Sequence, residues 1–314
     1  MSTGSASNAT GTAASHTPIV AIVGATATGK TALAIELARR LDGEVVNADA
    51  MQFYRGLDIG TAKATAEEQA GIPHHLIDTM DLSEEASVAT FQQQAREKFE
   101  DIRDRGRTPI LVGGSGLYVR AALDEIEFPP TDPDVRRRLE EQAQQHGMSV
   151  LAERLARIDP ESAQRLHDDR RIIRALEVHE ISGRTFTSYM PQRRYRDPRT
   201  IQIGLQMERS LLHERIDVRV SRMIADGLAE ETQELLSRGL AEAPTASRAI
   251  GYPQTQQFLA GKITAGQWQE LIATATRQFA RRQETWFRAD SRVHWLAWDA
   301  PELVDHAVAL IETV

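Results

Sequence analysis

Residues 24 to 31, Gly24-Ala25-Thr26-Ala27-Thr28-Gly29-Lys30-Thr31, constrain this chain more tightly than any other stretch. They have the form G-x-x-x-x-G-K-T. Before them lies the unbroken apolar run Pro18 to Val23, and after them Leu33, Leu37 and Leu41 recur every four residues. A continuous apolar run is the pattern of a strand buried on both faces of a parallel sheet, and the recurrence gives a helix one apolar stripe. Strand, glycine-rich turn and helix in this order make a phosphate-binding loop. Backbone amides converge on phosphate oxygens, the helix N-terminus adds partial positive charge, Lys30 adds a full one, and the Thr31 hydroxyl can ligate Mg2+. The pattern specifies a bound di- or triphosphate, as in ATP-binding proteins, and leaves the rest of the molecule open.

Short apolar runs at Glu44 to Ala48, His75 to Asp78, Pro109 to Gly113, Ile201 to Leu205 and Val293 to Trp298 are expected to be further strands. Between them, Phe91, Ala95, Phe99 and Ile102 mark the buried face of a helix capped by Ser87 and stopped by Gly106. Alternating strands and helices imply an α/β fold, a P-loop NTPase-like core with a parallel sheet. Near Pro129-Pro130 the pattern gives way to short, charge-rich helices. Thr131 or Asp132 with Pro133, and Asp159 with Pro160, read as starts, while Gly147 and Gly183 read as stops. The expected organisation is a disordered tail over 1–17, a core over 18–123 and 200–314, and a helical insertion over 124–199.

Several classes are excluded by composition. The chain has no cysteine, so neither disulfides nor a cysteine-built zinc site contribute. Its first seventeen residues lack Lys, Arg and any apolar run, which fits neither a secretory signal nor a mitochondrial presequence, and no segment reads as a membrane span. A cytoplasmic monomer is expected. The formal net charge of −8 opposes nucleic-acid binding if averaged over the surface. The arginines are clustered, however, at 136–138, 170–174, 193–199 and 277–288, so local basic patches are compatible with an acidic whole.

Asp49 follows the strand candidate Glu44 to Ala48 and should leave the carboxyl edge of the sheet near the phosphate loop, either as a functional carboxylate or as the cap of a turn. The run Val112-Gly113-Gly114-Ser115-Gly116-Leu117-Tyr118 ends another strand with three glycines and a hydroxyl. It is either part of the same edge or a tight strand-to-helix turn. Arg215, Arg219 and Arg222 share helical spacing. They could aim cations at a pyrophosphate or pair at a solvated edge with Glu214 and Asp217.

Taken together, these segments resemble one family, the tRNA dimethylallyltransferases, also called tRNA isopentenyltransferases. The resemblance spans Pro18 to Trp298. It rests on Gly24 to Thr31, the run Asn47 to Lys63, Pro73-His74-His75, Val112 to Tyr118, Arg170 to Val178, Arg248 to Tyr252 and Thr276 to Arg288. It implies transfer of the dimethylallyl group of dimethylallyl pyrophosphate to the exocyclic amine of adenosine 37, next to the anticodon of tRNA. The implied roles are Asp49 as general base, Thr31 with Mg2+ holding pyrophosphate, and Arg219 stabilising the departing charge. The helical insertion would grip the anticodon stem-loop. The implied tRNA contacts are Asp49, Ala50, Met51 and Gln52; Ser115 and Arg136; Arg170, Arg171, Ile172, Ile173 and Arg174; and Arg248, Ala249, Ile250, Gly251, Tyr252 and Pro253. Four positions depart from the family's commonest pattern: Ala25 for proline, Thr28 and Ala50 for serine, and Ser115 for threonine. The zinc-finger extension of eukaryotic members is absent, as in the bacterial type.

Overall fold

Strand β1 (Ile19–Gly24) is buried at every residue in the computed structural model, which describes residues 17–189 and 192–314. The expected tail over 1–17 therefore lies, Thr17 apart, outside the described residues. From β1 the chain runs through α1 (Lys30–Arg40), β2 (Gly43–Asn47), α2 (Ala66–Gln69), β3 (His74–His75), α3 (Val88–Asp104), β4 (Thr108–Gly113) and α4 (Gly116–Leu123). Four helices follow, α5 (Pro133–His146), α6 (Met148–Ile158), α7 (Pro160–Arg165) and α8 (Asp169–Ser182). The chain then returns through β5 (Thr200–Gln206), α9 (Arg209–Ala225), α10 (Leu228–Ser237), α11 (Tyr252–Leu259), α12 (Ala265–Arg288), β6 (Val293–Ala297) and α13 (Leu303–Ile311).

The strands form one sheet in the order β3-β2-β4-β1-β5-β6, with every pair parallel. Because side chains alternate across a strand, Val20 and Ile22 of β1, Ile110 and Val112 of β4, and Ile201 and Ile203 of β5 face one way. There they pack with Leu33 and Leu37 of α1 and Ala307 and Ile311 of α13. The expected strand from His75 to Asp78 shrinks to two residues, since Leu76 and Asp78 take φ of 58° and 55° and cannot continue an extended ladder. Helix α3 starts at Ser87, whose side chain accepts from the Thr90 amide, and buries Phe91, Ala95, Phe99 and Ile102. Phe91 stacks on Phe53 with ring centroids 5.5 Å apart and meets Tyr118 at 5.1 Å. A second core gathers Tyr54 and Leu57 with Leu212, Ile216 and Val220 of α9, Leu228 of α10, Tyr252 of α11 and Trp268 of α12. Among the described residues no helix is long and apolar enough to cross a membrane.

The described chain divides into two compact units, one over 17–119 with Pro198–Val314 and one over Arg120–Asp197. Proline at the first turn follows the capping residues Asp132 and Asp159, and Gly147 and Gly183 end helices at φ of 85° and 69°. The second unit packs Leu139, Leu151, Leu155, Ile172, Ile173 and Leu176 into its own core. Its entering and leaving segments are tied by an antiparallel bridge between Asp124 and Tyr195 and by the Glu125 amide donating to the Arg194 carbonyl at 2.9 Å.

Buried Glu177 braces this unit. It accepts from the Asp132 amide, from Arg136 Nη2 and from Arg174 Nη1, each at 2.9 Å. Arg174 also donates to the carbonyls of Pro129 and Pro130 at 2.8 Å. Burial alone would raise the carboxyl's proton affinity, but the hydrogen bonds from Arg174 and Arg136 outweigh it and hold Glu177 below the ordinary range. Arg136 and Arg174 are therefore committed to the fold, and Ile172 and Ile173 to the core. Of the four positions expected to meet RNA in this helical stretch, two arginines thus give donors to Glu177 and two isoleucines lie in the core of the unit. A residue on a helix face does not reveal from its type whether its partner is an acid of the same fold.

All four tryptophans lie between residues 268 and 298, so tryptophan fluorescence reports the first unit alone. Phe91→Ala removes the central ring of the aromatic cluster and should cost about 3–5 kcal/mol. Equilibrium urea unfolding followed by tryptophan fluorescence checks this; a loss under about 1 kcal/mol would mean the cluster does not support the core.

Candidate active site

Three chain segments leave the sheet at its carboxyl edge within three adjacent strands: the phosphate loop after β1, Asp49 after β2 and the glycine turn after β4. Parallel pairing makes this unavoidable, and ligands of open α/β sheets sit at that edge. In the loop Gly24, at φ 133°, lies so close to β5 that a Cβ would stand 3.0 Å from the Leu205 carbonyl. Gly29, at φ 97°, caps α1. Lys30 Nζ donates to the Ala25 carbonyl at 2.6 Å, and Thr28 Oγ1 donates to the same oxygen at 2.9 Å. The Thr31 side chain at the start of α1 is exposed.

Helix α9 lends two cations to this loop. Arg215 Nε donates to the Ala27 carbonyl at 3.0 Å, with its guanidinium over Trp298, and Arg219 Nη1 donates to Thr26 Oγ1 at 3.1 Å. Arg222 does not join them: it is exposed and pairs with Asp226 one turn on. The expected stripe is two arginines long, because the buried face follows Leu212, Ile216 and Val220 and position 222 rotates out of it. Burial, and then the charge of Arg219, lower the Lys30 ammonium to about 7, with Asp49 pulling the other way. Arg219 is itself lowered by burial and by Arg215. Positive charge is concentrated here without enough negative charge to balance it.

Asp49 leaves the sheet edge and caps a turn, the second of the two roles expected for it. Its Oδ1 accepts from the Met51 amide at 3.0 Å and caps the short 3-10 turn Ala50–Phe53. Asn47 fixes the same turn, accepting from the Asp49 amide at 2.9 Å and donating to the carbonyls of Asp49 and Leu76. The cap occupies Oδ1 and leaves Oδ2 for chemistry. Burial raises the carboxyl above the ordinary range, against the Met51 hydrogen bond and the Lys30 charge, which makes Asp49 a better proton acceptor than a surface aspartate. Tyr118, pushed up to about 12 chiefly by burial, stays neutral nearby.

The three glycines at the junction of β4 and α4 make a tight turn and serve close approach as well. A Cβ on Gly113 would meet that of Ala48 at 2.7 Å, one on Gly114 would stand 2.0 Å from Gln283 Nε2, and one on Gly116 would lie 1.9 Å from the Trp286 ring. Gln283 Oε1 accepts from the Thr26 amide at 2.8 Å, so one buried amide of α12 touches both the phosphate loop and the glycine turn. Sequence reasoning placed Gln283 in a family marker but not in the site. The available signal was a glutamine between Ala280 and Phe287 on the buried face of an amphipathic helix.

The remaining expected contacts divide by exposure. Ser115 is half-buried and Arg248 is exposed. Gln52 Nε2 donates to the Thr61 carbonyl at 3.0 Å. Ala50, Ala249 and Tyr252 are buried, and Met51 and Ile250 pack against the second core, so these residues present little side chain to a ligand. Gly251 stands at φ 106° before Pro253 in the first turn of α11. In the other unit Arg170 and Arg171 are exposed, Arg171 only loosely paired with Asp168 at 3.3 Å. Among the described residues no group of three or more His, Cys, Asp or Glu could hold a metal ion. A hard cation here would rest on hydroxyl and phosphate oxygens, the arrangement Mg2+ favours beside phosphates.

The family model described as IPP transferase matches residues 52–290. A tRNA dimethylallyltransferase of Paenarthrobacter aurescens is 56% identical over 94% of this chain and 95% of its own, and that of Kocuria rhizophila is 57% identical over 93% of each. Among solved structures, the tRNA isopentenylpyrophosphate transferase of Bacillus halodurans is 40% identical, with a TM-score of 0.69 over 94% of this chain and 95% of that one. A eukaryotic dimethylallyltransferase, described as acting on tRNA, aligns with a TM-score of 0.78 at 28% identity, over 90% of this chain and 74% of its own.

Since Lys30 titrates at about 7, it is mostly neutral at about pH 8, and a polyanion on the loop should recharge it. Binding of inorganic pyrophosphate at about pH 8 should therefore take up more protons in the wild type than in Lys30→Gln, and the difference should vanish near pH 6. Calorimetry in two buffers of different ionisation enthalpy measures it. Equal uptake by the two proteins at the higher pH would show that Lys30 is already charged.

Proposed function

The chain belongs to the IPP transferase family of tRNA dimethylallyltransferases, and from that premise we propose how its residues divide the work of transferring a dimethylallyl group to a tRNA adenosine. The donor is dimethylallyl pyrophosphate. The acceptor is the exocyclic amine of adenosine 37 beside the anticodon, and the products are N6-dimethylallyladenosine and pyrophosphate. The observation that carries the assignment is the convergence of a proton acceptor, Asp49, and three cations, Lys30, Arg215 and Arg219, on one edge of the sheet.

An adenine amine is a poor nucleophile, so the site must align both partners, accept the amine proton and neutralise the leaving group. Asp49 Oδ2 takes the proton while the cap at Oδ1 holds the carboxylate in orientation. The allylic carbon–oxygen bond breaks as the carbon–nitrogen bond forms, and the electron pair leaves with pyrophosphate. Lys30 has three donors and gives one to the Ala25 carbonyl, which leaves two for phosphate oxygens. Arg219, held by Thr26, offers its remaining donors to the departing charge. The loop from Gly24 to Thr31, the Thr26 amide apart, contributes backbone amides, and the Thr31 hydroxyl would hold Mg2+. Bound there, Mg2+ supplies further charge neutralisation of the leaving pyrophosphate.

On the acceptor side, the anticodon stem-loop is assigned to the exposed arginines, above all Arg170, Arg171 and Arg248, with Ser115 and the Asp49–Gln52 turn near the target base. A target in a loop suits this arrangement, because its base leaves the stack at less cost than one in a duplex. The proposed setting is the cytoplasm, where tRNA is, with the enzyme working as a monomer.

Transfer of labelled dimethylallyl pyrophosphate to unmodified tRNA tests the reading. Asp49→Asn keeps the shape of the carboxylate but cannot serve as the base, and single-turnover transfer should slow by about a hundredfold to ten-thousandfold, with smaller changes in binding. A loss confined to tRNA affinity would make Asp49 a binding residue instead. For RNA binding, Arg170→Ala/Arg171→Ala should reduce the slope of log affinity against log salt by about 0.7–0.9 for each phosphate that is no longer neutralised. Arg174→Ala should instead lower the stability of the helical unit. Titration of tRNA at several salt concentrations separates them, and an unchanged slope in the double variant rules out phosphate neutralisation by this pair.

A further inference from the structure

Away from the reacting groups, one carboxylate gathers an unusual set of donors. Glu231, in the first turn of α10, accepts from three successive backbone amides: Asp58 at 3.2 Å and Ile59 at 2.8 Å on Oε2, and Gly60 at 3.2 Å on Oε1. Its Oε1 also accepts from the Tyr252 hydroxyl at 2.7 Å. Consecutive amides converging in this way form a cradle for an anion, and here the anion is a side chain of the same protein. Tyr252 is fully buried, and its ring lies so close to Gly60 that a Cβ there would stand 2.6 Å from it. Burial and the neighbouring Glu231 raise the tyrosine hydroxyl far above its usual range, so it remains a donor.

The cradle is one end of a short series of bonds that reaches the acceptor side of the site. From 58–60 the backbone continues to Thr61 and Ala62, and the Thr61 carbonyl accepts from Gln52 Nε2 at 3.0 Å. Gln52 belongs to the 3-10 turn that Asp49 caps. At the other end Tyr252 follows directly on Arg248 to Gly251, a stretch assigned above to tRNA. We propose that Glu231 is a positioning residue of the transfer reaction: it pins the 58–62 loop between the Asp49–Gln52 turn and the Arg248–Gly251 segment, and so sets where the acceptor base meets Asp49. The inference rests on the reading of Asp49 as proton acceptor.

The mechanism gives an asymmetric expectation. Glu231 touches no part of the phosphate loop, so its loss should disturb the acceptor side and spare the donor side. A displacement of the order of an ångström at a reacting group can cost about a hundredfold in rate. With the full chain, at a temperature where thermal melts show every variant folded, Glu231→Ala should slow single-turnover transfer at saturating substrates by about tenfold to a hundredfold. The dimethylallyl pyrophosphate concentration for half-maximal rate should stay within about twofold of wild type. Glu231→Gln should recover part of the rate, because its carbonyl oxygen can still accept from Asp58 and Ile59, while Tyr252→Phe, which removes one bond of four, should be the mildest. Variants that melt earlier yet transfer at the wild-type rate when folded would reduce Glu231 to a stabilising brace and overturn the proposal, as would an equal loss of donor binding. Asp49→Asn run alongside separates the two ideas. If it too transfers at the wild-type rate, the base assignment fails and the positioning claim falls with it; if it alone is slow, only the claim about Glu231 fails.

Discussion

Parallel pairing of β1 with β4 and of β4 with β2 sends the chain out of the sheet at the same edge three times, and the chemistry depends on that repetition. Each exit contributes something different: amides and a lysine after β1, a carboxylate after β2, and a turn with almost no side chain after β4. The order of the strands puts the glycine turn between the other two. A side chain on Gly113 or Gly114 would wedge them apart, since Ala48 and Gln283 already occupy the space. The spacing of the three exits is thus set by close packing that leaves no room for a side chain, and interiors of that density compress little.

Around that frame the charges are out of balance. Lys30, Arg215 and Arg219 stand together with Asp49 as the nearby carboxylate, and burial, followed by the charge of Arg219, brings the Lys30 ammonium down to about 7. Such a cluster opposes folding and favours a polyanion by the same electrostatics. The arginines are held by neutral acceptors, the Ala27 carbonyl and the Thr26 hydroxyl, so their orientation is fixed without their charge being cancelled. The helical unit does the opposite. There Arg136 and Arg174 meet a buried glutamate and become structural members.

What could be read from the sequence was whatever rests on local rules. The phosphate loop, the buried strands, the caps at Ser87, Asp132 and Asp159, and the stops at Gly106, Gly147 and Gly183 all follow from neighbours a few residues away. Asp49 was legible as a position at the sheet edge, though not as a cap and an available oxygen at once. Partners distant in sequence were not legible. Nothing near Gln283 announces Thr26, nothing near Arg174 announces two proline carbonyls, and the glycines of 113–116 gave no hint of whether they served a turn or a close approach. For Arg215, Arg219 and Arg222 the choice between a pyrophosphate and a solvated edge stayed open, because ideal helical spacing says which residues are neighbours and not which way the shared face points.

The bridge between Asp124 and Tyr195 has a consequence for how such a chain can change over time. Because the segments entering and leaving the helical unit run side by side, the unit is closed at its own base. Closing that base locally removes most of the dependence on the length of the intervening chain, which in any case grows only with its logarithm. Helices beyond that closure can be lengthened, shortened or recharged while the paired segments at the base stay as they are. Change in the helices is thereby uncoupled from change in the segments that close them, and drift in one need not wait for compensation in the other.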